Sequence, residues 1–221
     1  MRNSEEVDLR DGLVYDPYIK GYDSNFWKGD TANLLADTVK NVIKIGDTGL
    51  VGSASSYSQY LYGDFEFAMA IDSLSPDSND SEKYFGLRNM GDSLNRGAAF
   101  FDLSFDTLTG ADTAITRPFR AVIYDEYGNR QRKNITWDTG WGGGGRITRF
   151  RILWEADGYS FLINDTVVAT LGDRPAGDSR TYQINTTIPQ ALRISNRSLD
   201  TTDTAVTALK LLTIRSARKV I

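Results

Sequence analysis

The most regular feature of the chain is an alternation of apolar and polar residues, which begins near residue 39 and continues to the end. Every second position from Phe65 to Ile71 is apolar, so these side chains lie on one side of an extended strand. Further runs rich in aromatic and branched residues are separated by Gly, Asp, Asn, Ser and Pro. They are residues 39–45, 84–87, 98–108, 119–124, 134–137, 147–155, 191–194 and 208–218. The pattern predicts an all-β antiparallel sandwich or barrel.

Residues 147–171 form the clearest single unit. Phe150, Ile152 and Trp154 recur at every second position, which predicts a strand with one face in the core. Two further apolar runs flank Asn164-Asp165, and both of these residue types tolerate a positive φ. We therefore expect a β-hairpin with a two-residue turn.

Two stretches near the N-terminus depart from the strand pattern. Residues 31–42 have helical spacing, because Leu34, Leu35 and Val39 could share one face, and they predict the one helix of the chain. Residues 1–24 contain few apolar anchors and predict an extended arm that packs on the domain or on a neighbouring subunit.

The composition excludes much of the chemistry that enzymes use. The 221 residues contain no cysteine and no histidine, which removes thiolate nucleophiles, imidazole bases and their zinc ligands. What remains is carboxylate, lysine or tyrosine chemistry, oxygen-ligated metals, or no catalysis. A net charge of -4 disfavours a nucleic-acid partner, because the overall field repels phosphates.

Length and hydropathy predict one globular domain over residues 25–221. No apolar run approaches the ~20 residues that a membrane helix needs, so we expect no membrane insertion. Residues 1–8 lack the apolar core of a secretory signal, and we expect that this chain is not exported by that route.

Four stretches, taken in order, resemble the concanavalin A-like lectins and glucanases, especially the laminin G and family 16 glycoside hydrolase branches. They are Phe26-Trp27, residues 57–67, residues 150–163 and residues 208–215. The strongest likeness is the strand that ends at Trp154 and turns through Asp157-Gly158 into a second strand. The resemblance implies two antiparallel sheets in a jelly roll, whose concave face holds a carbohydrate in many members.

The resemblance does not carry the catalytic residues with it. Catalytic family 16 members have a Glu-x-Asp-x-Glu strand, and the matching stretch here is Asp102-Leu103-Ser104-Phe105-Asp106. Both end positions are aspartates and the centre is serine, while other alignments place Ala98 or Phe100 at essential positions. Strand positions i and i+4 lie ~13 Å apart, and aspartate is too short to bring carboxyls to the ~5 Å of a retaining pair. We therefore expect no catalysis, with Asp102 and Asp106 as weak catalytic candidates and two solvated strand residues as the favoured interpretation.

Carbohydrate-binding sandwiches stack sugar rings on exposed aromatic side chains and bind hydroxyl groups with polar ones. Trp141 is the most suggestive candidate, because it lies beside a glycine-rich stretch at residues 142–145. Exposure for a ligand or subunit and a place at a sheet edge both remain open for it. The full set of predicted ligand-binding residues is Trp137, Trp141, Tyr124, Tyr127, Arg88 and Asn89, with Asp102 and Asp106 as further polar partners.

Two other groups of charged or polar residues have a simpler interpretation. Asp77, Asn79 and Asp80 belong to an oxygen-rich loop that could hold calcium, but they lack the spacing of a calcium loop, so a solvated turn is favoured and no cofactor is expected. A set of basic residues predicts protected strand edges. These are Arg130, Arg132, Lys133, Arg146, Arg149 and Arg151.

The sequence therefore predicts a non-catalytic, lectin-like sandwich. The leading hypothesis is a structural or surface module of an assembly, such as a virion protein of the capsid-decoration or tail type, present as a homo-oligomer or within a larger particle, in the virion or on an extracellular surface. The alternatives are an isolated carbohydrate-binding module and a divergent glycoside hydrolase or polysaccharide lyase, the hydrolase acting on a β-glucan.

Overall fold

The computed structural model describes residues 13–15, 27–29, 34–37, 42–46, 48–52, 63–70, 81–88, 92–104, 119–136, 147–155, 158–172, 191–198 and 209–217. These residues form strands and turns and contain no helix, hence no apolar helix long enough to cross a membrane. The strands are β1 Leu13–Tyr15, β2 Trp27–Gly29, β3 Leu34–Asp37, β4 Val42–Ile45, β5 Thr48–Gly52, β6 Gly63–Ala70, β7 Ser81–Arg88, β8 Ala99–Asp102, β9 Phe119–Tyr124, β10 Arg130–Ile135, β11 Ile147–Glu155, β12 Gly158–Ile163, β13 Thr166–Leu171, β14 Ala191–Ser198 and β15 Leu209–Ala217.

The described strands form two antiparallel sheets. The eight-stranded sheet has the order β13-β12-β11-β6-β15-β4-β3, and β1 pairs with β15 off this path. The seven-stranded sheet has the order β10-β9-β8-β7-β14-β5-β2. Strands distant in sequence are neighbours in both sheets, as in a jelly roll. The predicted all-β sandwich is confirmed.

The core lies between the two sheets and is strongly aromatic. Phe85 and Phe101 of the seven-stranded sheet meet Phe150 of the eight-stranded sheet edge to face, with ring centroids 5.2 and 5.3 Å from Phe150. The ring centroid of Phe161 lies 5.1 Å from that of Phe101. All four side chains are buried, and each contributes about 1.5–3 kcal/mol to folding through removal of apolar area from water.

The strand and hairpin predicted in residues 147–171 are confirmed. Phe150, Ile152 and Trp154 are buried in the core, and β11 pairs with β12 on one side and β6 on the other. Asn164 and Asp165 connect β12 to β13 with φ values of 47° and 64°. Positive φ at both central residues matches the twist of the flanking strands. The Asn164 Oδ1 also accepts a hydrogen bond of 3.0 Å from the Arg149 backbone N–H.

The predicted helix over residues 31–42 is wrong where the structure describes it. Leu34–Asp37 is a strand, and it pairs with β4 so that Leu34 stands opposite Ile45 and Ala36 opposite Ile43. β4 is rich in branched residues and pairs with β15, so it gives the Leu34–Asp37 backbone a strand to pair with. This pairing outweighs the local preference for a helix.

Both chain ends contribute to the eight-stranded sheet. Leu13–Tyr15, within the predicted arm, pairs with β15, and β15 lies between β6 and β4 as an inner strand. The extent of the arm and the proposed boundary at residue 25 remain predictions.

The basic residues divide between an edge and an interior strand. β10 is an edge strand of the seven-stranded sheet and exposes Arg130, Arg132 and Lys133, as predicted. Arg149 and Arg151 lie on β11, which is paired on both sides, so the prediction of an edge is wrong for them. They point outward because the alternate positions of β11 fill the core. Arg146 is outside the described residues.

Candidate functional site

The seven-stranded sheet has a second apolar cluster on the face turned away from the core. Tyr84, Phe100 and Val122 are buried there, together with Ala98, and Tyr124 packs against them. Strand pairing explains the arrangement, because Phe100 stands opposite Gly86 on β7 and opposite Val122 on β9. Residues directly opposite each other share a face of the sheet. We call this surface the outer face.

The aromatic side chains of the outer face form a row across β7, β8 and β9. Tyr84 and Phe100 have ring centroids 5.1 Å apart, and Phe100 stacks on Tyr124 at 6.2 Å with an interplanar angle of 26°. Tyr84 and Phe100 are almost fully buried, whereas Tyr124 is partly exposed. Tyr124 is therefore the member of the row that a ligand can reach, and the other two hold it in place.

Gly86 allows β7 and β8 to approach each other closely beneath this row. Its φ is 155°, and a Cβ added there would lie 2.5 Å from both the Ala99 carbonyl oxygen and the Phe100 Cα. At these distances an added Cβ would collide with the main chain of β8, which cannot rotate away. A glycine is therefore required at this strand position.

Two arginines lie against the ring of Tyr84. The guanidinium carbon of Arg88 is 4.9 Å from the ring centroid and that of Arg193 is 5.5 Å away, both within the range of cation–π attraction. Burial raises the pKa of Tyr84, and the two arginines oppose that rise. Tyr84 is therefore a neutral ring that contacts two arginine cations on one surface.

Polar contacts fix the orientation of the surrounding side chains. The Arg88 Nε donates a hydrogen bond to Asn95 Oδ1, and Asn95 has a φ of 56° in the turn between β7 and β8. On β14, the Ser195 Oγ donates to Glu82 Oε1 at 2.6 Å. These bonds reduce the conformational freedom of the outer face before any ligand binds.

Asp102 is engaged with the protein itself. Its Oδ1 accepts a 2.8 Å hydrogen bond from the Ser104 N–H, and its Oδ2 lies 3.3 Å from Arg120 Nε. The Nε–H group of Arg120 is not aligned for a hydrogen bond to the Asp102 carboxylate, so the contact between these two side chains is an ion pair. The Arg120 Nη2 donates to the Ser104 carbonyl oxygen at 2.8 Å. This network ties the end of β8 to β9.

The turns after β7 and β9 form one rim of the outer face. Asp125 is buried, and its carboxylate accepts hydrogen bonds from the backbone N–H groups of Tyr127 and Asn129. Gly128 packs against Leu94, since a Cβ there would lie 2.9 Å from the Leu94 Cβ. Tyr127 and Leu94 themselves are exposed on this rim.

The structure brings together part of the predicted ligand set. Arg88, Tyr124 and Asp102 share the outer face, and Tyr127 lies on its rim. The remaining predicted site residues are outside the described part of the chain: Asn89, Asp106, Trp137, Trp141, Asp77, Asn79 and Asp80. The described residues contain no cluster of three or more acidic, histidine or cysteine side chains that could hold a metal.

Sequence reasoning did not select four residues that build the outer face: Tyr84, Phe100, Arg120 and Arg193. The alternation of Glu82, Tyr84 and Arg88 along β7 was a usable signal, since it places three functional side chain types on one face. Arg193 carried no comparable signal, because its contact with Tyr84 depends on pairing between β7 and β14.

Two antiparallel sheets that enclose an aromatic core define a β-sandwich of the jelly-roll type. No family model matches the chain, and no curated protein matches it by sequence. Solved structures do match.

The laminarinase catalytic domain from Thermotoga maritima matches with a TM-score of 0.60 and 13% identity over 94% of this chain and 98% of that one. A pseudo beta-1,3-glucanase of Mycobacterium tuberculosis matches with a TM-score of 0.58 and 12% identity over 93% and 98%. The Emp46p carbohydrate recognition domain matches with a TM-score of 0.56 and 10% identity over 98% and 99%. At these identities the similarity establishes the fold.

Proposed function

We propose that this protein is a non-catalytic, carbohydrate-binding sandwich that holds a saccharide on the outer face of its seven-stranded sheet. The observation that carries the proposal is the partly exposed ring of Tyr124, stacked on buried Phe100, on the same face as Arg88. Solved structures with this fold include a carbohydrate recognition domain and a pseudo-glucanase.

The chemistry of this face suits a sugar. One side of a pyranose ring is apolar and packs on an aromatic ring, while its rim of hydroxyl groups needs donors and acceptors. Tyr124 offers the aromatic surface, and the guanidinium of Arg88, two strands away on the same face, offers donors. Because Phe100 and Asn95 restrict these two side chains, little conformational entropy is lost on binding.

The absence of catalysis is supported by the outward positions of β8. These positions are Phe100 and Asp102, and Phe100 belongs to the aromatic row. The Asp102 carboxylate is engaged by Arg120 and the Ser104 N–H, whereas a retaining glycosidase needs two carboxyls free on either side of the scissile bond. Asp102 is better placed to stabilise the sheet than to attack a sugar.

A glycan array followed by calorimetry on the strongest hit tests the proposal. We expect Tyr124→Ala to weaken binding by about tenfold through the loss of stacking. Val167→Ala is the matched control, because Val167 is exposed on the other sheet and should leave binding unchanged. Absence of binding to any saccharide, or equal loss in both variants, would overturn the proposal.

The tryptophans predicted from the sequence require a parallel test. Trp137→Ala and Trp141→Ala are assayed on the same saccharide. Loss of binding in these variants with full binding by Tyr124→Ala would move the site away from the aromatic row.

The hydrolase alternative is tested separately with a β-glucan. Release of reducing sugar by the unmodified protein, abolished in Asp102→Asn, would establish catalysis and contradict the non-catalytic assignment. We expect no release from either protein.

We further propose that the domain serves as an attachment or structural module of an assembly, in a virion or on an extracellular surface. A fold that holds a saccharide without cleaving it suits attachment to a glycan-bearing surface. Light scattering coupled to size-exclusion chromatography should then show a stable multimer at micromolar concentration. A monomer throughout would contradict self-assembly.

A further inference from the structure

The outer face is rich in arginine, although the whole chain has a net charge of -4. Among residues whose side chains the structure describes, strand pairing places six arginines and two carboxylates on this face. The arginines are Arg88, Arg120, Arg130, Arg132, Arg193 and Arg197, and the carboxylates are Glu82 and Asp102. This face therefore has an excess of positive charge, although the chain as a whole is acidic.

The two carboxylates already have partners on this face. Asp102 pairs with Arg120, and Glu82 accepts a hydrogen bond from Ser195. Arg130, Arg132 and Arg197 are exposed and make no ion pair with any described residue. The positive charges of these three arginines are therefore available to solvent or to a ligand.

The arginines of β7 and β14 also act on one another. Burial lowers the pKa of Arg193, and the positive charges of Arg88 and Arg197 lower it further, against the opposing effects of Tyr84 and Glu82. An anion on this face would relieve that repulsion, and a neutral ligand would not.

The geometry points to an anionic oligosaccharide as the ligand of the outer face, with its carboxylate or sulfate groups bound by Arg88, Arg130, Arg132 and Arg197. This inference rests on the proposed function and specifies its substrate class. The guanidinium fork donates two parallel hydrogen bonds to a planar carboxylate or to a sulfate, so arginine is the side chain suited to such groups.

The spacing of the arginines also sets the length of the ligand. Arg132 on β10 is in register with Arg193 on β14, four strand steps or ~19 Å away across the sheet, and Arg197 lies four residues further along β14. A single sugar cannot span this distance, so affinity should rise with chain length until the saccharide spans the sheet.

Matched saccharide pairs test the inference. Oligogalacturonate and its methyl ester share one backbone and differ in the free carboxylate; dextran sulfate and dextran differ in the sulfate. These pairs and a glycan array of acidic and neutral members are assayed at 50 and 500 mM NaCl. At 50 mM NaCl, we expect the anionic member of at least one pair, or the acidic members of the array, to bind about tenfold more tightly than their neutral counterparts.

Arginine variants locate the binding. Arg132→Gln and Arg197→Gln change exposed side chains and should keep the fold, and each should lower anionic affinity several-fold. Arg149→Gln is the matched control, because Arg149 is exposed on the outward side of the other sheet and should have no effect.

The outcomes distinguish failure of the anionic inference from failure of the proposed function. Neutral saccharides that bind as tightly as anionic ones would overturn the anionic inference and leave the carbohydrate-binding function standing. No binding to any saccharide would overturn both. Binding to a single-stranded oligonucleotide without binding to any saccharide would identify a different class of ligand and would also overturn both.

Discussion

The Nε atom of Arg120 lies 3.3 Å from the Oδ2 atom of Asp102, and the two side chains are only 9% and 15% exposed. This ion pair joins β9 to the end of β8 at the position where the resemblance to family 16 enzymes would place a catalytic carboxylate. Little water surrounds the pair, so each charge depends on the other for its stabilisation.

We therefore predict that Asp102→Asn destabilises the protein by about 2 kcal/mol. The amide oxygen can still accept the Ser104 N–H, but the charge that balances Arg120 is lost. Urea unfolding followed by tryptophan fluorescence measures the change.

Asp165→Asn is the control for this prediction. Asp165 faces Arg151 at 3.9 Å, and the side chains are 71% and 35% exposed, so this pair contributes less than about 0.5 kcal/mol. Asparagine also tolerates the positive φ at this turn position. Equal losses in both variants would show that the Arg120–Asp102 pair has no special structural role.

Gly86 carries a second prediction, because the neighbouring main chain leaves no room for a Cβ. We expect Gly86→Ala to cost about 3 kcal/mol, through collision with β8 and an unfavourable φ. Urea unfolding measures the loss. Where the variant is too unstable to purify, the soluble fraction on expression reports the same effect.

A double variant separates backbone collision from side chain crowding. Adding Phe100→Ala to Gly86→Ala should not restore stability, because the nearest atoms are the Ala99 carbonyl oxygen and the Phe100 Cα. Recovery of stability in the double variant would show instead that the Phe100 ring is the obstacle.

Local signals were sufficient for much of the fold. The alternation of Phe150, Ile152 and Trp154 and the Asn164-Asp165 turn specify a strand and a hairpin without distant contacts, and both are present. The spacing of Leu34 and Leu35 suits a helix or a strand, and pairing with β4 decides between them. Tertiary context therefore overrides local preference at that position.

The candidate site was less predictable for the same physical reason. Arg88 and Tyr124 were identified by residue type, because arginine and tyrosine commonly bind saccharides. The contact between Glu82 and Ser195 joins residues 113 positions apart, and the placement of Arg193 over Tyr84 likewise requires β7 to pair with β14. Such contacts follow from sheet order, which alternation along single strands does not determine.

Tyr159 carries the last prediction, because its hydroxyl is buried in the core without a hydrogen-bond partner among the described residues. Such a group loses its hydrogen bonds to water on folding and gains none. We expect Tyr159→Phe to be as stable as the unmodified protein at pH 7, or more stable by about 1–2 kcal/mol.

The same variant should change the response to alkali. Burial raises the pKa of Tyr159 above the value of 10.0 that applies to an exposed tyrosine. Below pH 10 the hydroxyl is protonated in both the folded and unfolded chains, so its ionisation does not affect stability. Above pH 10 the unfolded chain loses the proton while the folded protein keeps it, and stability falls as the pH rises. The Tyr159→Phe variant lacks this ionisable hydroxyl, so its stability should fall less steeply above pH 10.

Urea unfolding at pH 7 and at pH 10.5 measures both effects. Some alkaline destabilisation should persist in the variant, because burial also raises the pKa of Tyr84. Tyr127→Phe is the control at pH 7, since its ring is exposed on the rim and its loss should leave stability unchanged. A clear loss of stability in Tyr159→Phe at pH 7 would mean that the hydroxyl has a partner, and an unaltered alkaline response would mean that Tyr159 ionises as readily in the folded protein as in the unfolded chain.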